Sequence, residues 1–110
     1  MVEHIINITF DKNDIDSILH VRGILNAAAH TLVDRKWAAY DKGQMHTYRE
    51  LNVELRAAWL LEAKAALAGY QHHYKKWGEE VYANAICDGK KRVAERRKEY
   101  KEAKREWLNP

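Results

Sequence analysis

DKGQMHTYRE, residues Asp41 to Glu50, ends one helical pattern and opens another. Gly43 suits the left-handed position that follows a helix end. Thr47-Tyr48-Arg49-Glu50 matches a capping box, in which the Thr47 hydroxyl and the Glu50 carboxylate each satisfy a backbone donor. Stop and restart signals this close together describe an αα-hairpin.

Upstream of the turn, Ile15, Ile18, Leu19, Leu25, Ala28, Ala29, Leu32, Val33, Trp37 and Tyr40 recur at threes and fours. This predicts a helix over 13–42 with one apolar face. Asn13 or Asp14 is placed to cap it, and Asp16 favours its positive end. Gly23 is a tolerable interruption, at roughly 1 kcal/mol against Ala. Downstream, Leu51, Leu55, Ala58, Trp59, Ala65 and Ala66 form a second face, which Leu60, Leu61, Leu67 and Ala68 widen. Tyr70, Tyr74, Trp77, Val81 and Ala85 carry the spacing onward, so a second helix is expected over 47–87, with a kink allowed at Gly78.

Asp88-Gly89 offers a break before a shorter basic helix over 90–107. Its apolar positions are few: Val93, Tyr100 and Trp107 are spaced by seven, Ala103 lies between the last two, and Ile86 lies seven before the first. So narrow a seam suits a coiled-coil-like contact. At the other terminus, His4 to Phe10 reads HIINITF, an alternating, β-branched stretch with a strand signal. No second strand follows it. Residues 1–11 are therefore expected as an arm that lies over the helices or as a strand paired with another chain. The predicted fold is mainly α and a single domain over 1–110: a long αα-hairpin, a basic C-terminal helix, and a short N-terminal strand or extended arm. Five Gly and a single, terminal Pro agree with long helices.

The basic excess is local. Residues 88–110 hold nine Lys and Arg against five Asp and Glu, whereas the rest of the chain is near balance. Lys90, Lys91, Arg92, Arg96, Arg97, Lys101, Lys104 and Arg105 could neutralise phosphates, with Tyr100 and Trp107 available to stack. Against this, Glu95, Glu99, Glu102 and Glu106 are interspersed, and Lys91–Glu95, Lys98–Glu102, Glu95–Lys98 and Glu102–Arg105 have the spacing of self-supporting helix pairs. The acids are expected to intrude on every basic face, so a solvated helix ranks above a nucleic-acid contact. A membrane contact is not expected, because the apolar face is meagre.

No catalytic or cofactor constellation stands out. The six histidines include no pair four apart, and His72-His73 project about 100° apart on a helix. No metal, cofactor or catalytic residue is assigned, and the chain is not expected to be an enzyme. Cys87 has no base beside it and is expected as a small buried thiol. One cysteine cannot form an internal disulfide, which fits a reducing cytoplasm. No stretch approaches the ~20 apolar residues of a membrane span.

Four Trp and six Tyr against one Phe is a choice of amphipathic rings, which favour interfaces. Tyr70, Tyr74 and Trp77 are the densest group, and Tyr100 and Trp107 join them as expected partner-binding residues. The function expected from sequence is a non-catalytic protein–protein interaction module: a small regulator, adaptor or inhibitor acting on a larger protein or nucleoprotein assembly. Sequence-nonspecific nucleic-acid binding through the basic helix is the alternative. A homodimer covering the face Leu60–Leu67 is a subordinate expectation.

Overall fold

The computed structural model describes Ile5 and residues 8–110. Three long helices dominate: α1 (Ile15–Asp41), α2 (Met45–His73) and α3 (Glu79–Leu108). They form a rod of 51 × 23 × 21 Å. Successive helices run antiparallel. Gly69 near the end of α2 lies against Ile18 near the start of α1, and Gly89 near the start of α3 meets Leu67 and Tyr70 near the end of α2. α2 is central, and α1 and α3 pack on it without backbone contact between themselves.

The hairpin expected from sequence is present, with a different cap. The Gly43 N–H donates to the Tyr40 carbonyl and the Gln44 N–H to the Ala39 carbonyl, at 3.0 and 2.9 Å. This is a Schellman end, with Gly43 at φ 73°. The turn is so short that α2 begins at Met45, so Thr47 lies inside the first turn and no side chain caps the helix. The expected capping box is not formed. At the start of α1, Asp14 is the cap: its side chain accepts from the Asp16 N–H at 3.0 Å.

The expected helix over 47–87 is two helices. α2 stops at His73, a single 3-10 turn spans Lys75–Trp77, and α3 starts at Glu79. Gly78 reverses the chain with φ 103° and ψ 160°, a conformation essentially confined to glycine. Apolar spacing passed through Gly78 because rings line both sides of the turn, so periodicity alone could not separate a kink from a reversal. Glu79 and Glu80 then suit the positive end of α3. No break occurs at Asp88-Gly89. Gly89 is buried inside α3, where an added Cβ would lie 2.8 Å from Leu67 Cδ1 and 3.2 Å from the Tyr70 ring. It is a close-approach residue rather than a helix breaker.

Ile86, Gly89, Val93, Arg96, Tyr100, Ala103 and Trp107 alternate at threes and fours along the sheltered side of α3. The seven-residue seam read from sequence is thus half of a full heptad seam. On α1 the buried line is Ile18, Val21, Leu25, Ala29, Leu32, Lys36 and Ala39. Ile15, Leu19, Trp37 and Tyr40, assigned from sequence to the same face, are exposed. α2 buries residues on several faces, many of them alanines, as its central position requires. On the Leu60–Leu67 face expected to receive a second copy, Leu67 packs against Gly89 of α3 and Leu61 against the core, while Leu60 is partly exposed.

His4, Ile6 and Asn7 of the expected strand lie outside the described residues. Among the described residues there is no strand. Ile5 is buried with Leu51, Leu55 and Ala58, while Ile8 and Phe10 pack against the same cluster. This part of the segment packs over the helices, but Ile5 is helical rather than extended as expected, and the Ile8 N–H donates to the Ile5 carbonyl at 3.1 Å.

Two glycines should respond in opposite directions. Gly23 is exposed within α1 with open space where a Cβ would stand. Gly23→Ala is expected to stabilise by about 0.5–1 kcal/mol. Gly89→Leu is expected to destabilise by about 1–3 kcal/mol through overpacking. Urea denaturation of both variants followed by circular dichroism checks the signs.

Candidate functional site: the two flanks of the third helix

Docking of α3 on α2 sorts its charges. Asp88, Glu95, Glu99, Glu102 and Glu106 recur at threes, fours and sevens on one flank. Glu99, Glu102 and Glu106 help line a polar groove of roughly 250 Å³ with Lys36 of α1 and Asn52 and Arg56 of α2. The other flank carries Lys90, Lys91, Arg97, Lys98, Lys101, Lys104 and Arg105, all exposed. At about 100° per residue these seven occupy an arc of roughly 140° that no acid enters from Lys90 onward. The expected intrusion of acids on every basic face is therefore corrected. Interleaving along the chain becomes separation on the surface because the acids keep helical spacing among themselves.

None of those seven side chains makes an ion pair among the described residues. The pairs expected at Lys91–Glu95, Lys98–Glu102, Glu95–Lys98 and Glu102–Arg105 are not closed. The only pair within α3 is Arg96–Glu99, at 3.1 Å. Of the residues assigned from sequence to phosphate contact, Arg96 faces the bundle instead, and Arg92, still half exposed, leans toward it. Arg92 lies 3.8 Å from Glu62, a buried carboxylate that Arg22 of α1 reaches at 3.1 Å. Arg96 and Arg56 stand on the Trp59 ring at 4.8 and 4.9 Å, and the Glu99 carboxylate accepts from both guanidinium groups. Lys98, not assigned to phosphate contact from sequence, belongs to the basic flank.

The rings expected to bind a partner are divided between core and surface. Tyr70 and Tyr74 pack edge to face at 5.7 Å and are partly buried, and Tyr70 also meets α3 at Gly89. Tyr100 packs against the core, and the Trp107 indole N–H is buried without an acceptor. Trp77 alone of the five is largely exposed, at 60%. A second ring cluster stands at the opposite end of the rod, where Trp37, Tyr40 and Tyr48 lie 5.4–5.8 Å apart. Trp37 is 48% and Tyr40 49% exposed, and Met45 lies beside them in sequence at the exposed start of α2. Sequence periodicity had placed Trp37 and Tyr40 in the core. The signal against that was Lys36-Trp37 itself, since only one of two adjacent residues can take the seam.

Lys36 takes the seam. Its side chain is buried, and its ammonium donates to Asn52 Oδ1 at 3.3 Å and stands 4.9 Å from the Trp37 ring. Burial, with Arg56 adding to it, pushes its pKa below the ordinary lysine value. Burial likewise raises that of Glu54. Cys87 is exposed on α3, contrary to expectation, because it lies on the side turned away from α2. The described histidines are exposed, and His72 Nε2 bonds the Lys12 carbonyl at 2.8 Å. Among the described residues, no three or more His, Cys, Asp or Glu are grouped to hold a metal, and no helix is long and apolar enough to cross a membrane.

Compared with protein families, with curated proteins and with solved structures, the chain gives no match.

Neighbouring arginines distinguish the inner and outer sides of α3. Arg96→Ala removes a ring contact and a carboxylate contact, and is expected to cost about 1–2 kcal/mol. Arg97→Ala should stay within about 0.5 kcal/mol of the parent. Thermal melts of the two variants decide this. Lys36 gives a pH signature. With its folded pKa lowered, the unfolded chain binds more protons between the two values, so stability rises with pH across that alkaline window. Lys36→Met should flatten that rise and, at neutral pH, raise Tm by roughly 4 °C, corresponding to about 1 kcal/mol.

Proposed function

We propose that this chain is a non-catalytic helical interaction module of the cytoplasm, acting as a regulator, adaptor or inhibitor on a larger protein or nucleoprotein assembly. The observation that carries this reading is the ring cluster Trp37–Tyr40–Tyr48 at the α1–α2 turn. Two large aromatic side chains, Trp37 and Tyr40, stay half exposed there and stack edge to face. Aromatic anchors of this kind, held stiffly by their neighbours, are what protein interfaces use at their centres. Trp77, at the other end of the rod, offers a second anchor.

The charged groups of the groove support a scaffold rather than a reaction centre. Arg56 and Arg96 are engaged by Glu99, and Lys36 by Asn52. The Arg56–Glu99 and Lys36–Asn52 contacts each join two helices, Arg96 stands on Trp59 of α2, and none points a reactive atom into an enclosed space.

Affinity capture from nuclease-treated lysate of the source cells tests the reading. The parent chain is expected to retain a discrete protein in fixed ratio, and Trp37→Ala with Tyr40→Ala to lose it by tenfold or more. Both rings are half exposed, so the variant should melt within a few degrees of the parent. Equal retention by parent and variant, or no protein retained after nuclease treatment, overturns the proposal.

A further inference from the structure

We infer that the outer flank of α3 binds the phosphodiester backbone of duplex nucleic acid, without reading its bases. This surface is distinct from the aromatic ends, and the inference does not rest on them. Lys90, Lys91, Arg97, Lys98, Lys101, Lys104 and Arg105 lie along one straight helix, exposed and without ion pairs among the described residues. From Lys90 to Arg105 the line runs about 22 Å at 1.5 Å per residue, and duplex DNA presents one charge per ~1.7 Å of its axis. A pair of cations at Lys90 and Lys91 and a longer group from Arg97 to Arg105 face a continuous row of anions, which needs no further complementarity.

The makeup of the flank separates this partner from others. A protein partner is anchored by rings or large apolar groups set in pockets. From Lys90 onward the flank has only Ala94 and the terminal Leu108 as apolar residues. That is also too little apolar surface for insertion into a bilayer. Single strands are held by stacking their bases on exposed aromatics. The two rings of this segment are turned inward: Tyr100 packs against the core and the Trp107 indole nitrogen is buried. A stacked duplex offers phosphates alone, which is all this flank can meet. Glu99 and Glu106 border the groove beside α2, whereas Glu102 also borders the basic flank next to Arg97, Lys98, Lys101 and Arg105, where the cations outnumber it four to one.

Fluorescence anisotropy with a labelled 20-base-pair duplex of arbitrary sequence, from 50 to 300 mM salt, tests the inference. With most of the seven cations engaged, log K against log salt should fall with a slope of about −4 to −6. Lys98→Glu with Lys101→Glu is expected to weaken binding at least tenfold and to flatten the slope by about 2. Lys42→Glu with Lys75→Glu makes the same change in net charge at exposed sites off the flank, and should leave binding within twofold. The parent should hold duplexes of different sequence equally, and single strands more weakly. No binding at 50 mM salt, a slope shallower than −2, or equal losses in the two double variants overturns the inference. Tighter binding of a single strand overturns it too. Polyglutamate of matched charge held as tightly as the duplex also overturns it, in favour of an acidic polypeptide.

Discussion

At Gly89 the third helix lies so close to the second that Leu67 and Tyr70 fill the space any side chain would need. The rest of the architecture follows from this contact. It sets Val93, Ala103 and the sheltered sides of Tyr100 and Trp107 along α2, and so fixes which side of α3 meets water. On its other side α2 brings Ala65 and Gly69 to Ile18 of α1, again with small residues at the points of approach. A central helix must be covered from both directions. Its run of alanines gives close packing on several faces without the volume that larger side chains would force between the rods.

Charge is arranged around the same geometry. Glu62 is buried on α2 and reached by Arg22 from α1 and Arg92 from α3, so one carboxylate ties three helices together. Glu99 engages two arginines across Trp59. Partly exposed pairs of this kind contribute little net stability, because water competes for both partners. Their effect is on orientation. By drawing Arg96 inward and Glu99 toward the groove, they leave the opposite flank predominantly positive.

The hairpin was legible because its signals are local. Gly43 after an apolar run, and Asp14 before one, report the backbone conformations that their side chains permit. Gly78 and Gly89 were not legible in the same way. One reverses the chain and the other sits inside a helix, whereas apolar spacing carried a helix through the first and residue preference placed a break at the second. What a glycine does depends on what approaches it, and nothing within a few residues of Gly89 reveals Leu67. The exposed rings were missed for a related reason. Threefold and fourfold spacing admits two neighbouring stripes on α1, and Lys36 displaced Trp37 from the buried one because Asn52 and two aromatic faces could receive its ammonium.

By itself the sequence determined that the chain is helical, where its first turn falls, and that its positive charge is gathered at one end. Each of these depends on residues near one another along the chain. The separation of acids from bases on α3 was also written there, in spacings of three, four and seven. Tertiary structure alone decided which flank is engaged and which is left to solvent, because that depends on the side of α3 presented to α2. The rotation is set by steric contact at Gly89 between residues some twenty positions apart.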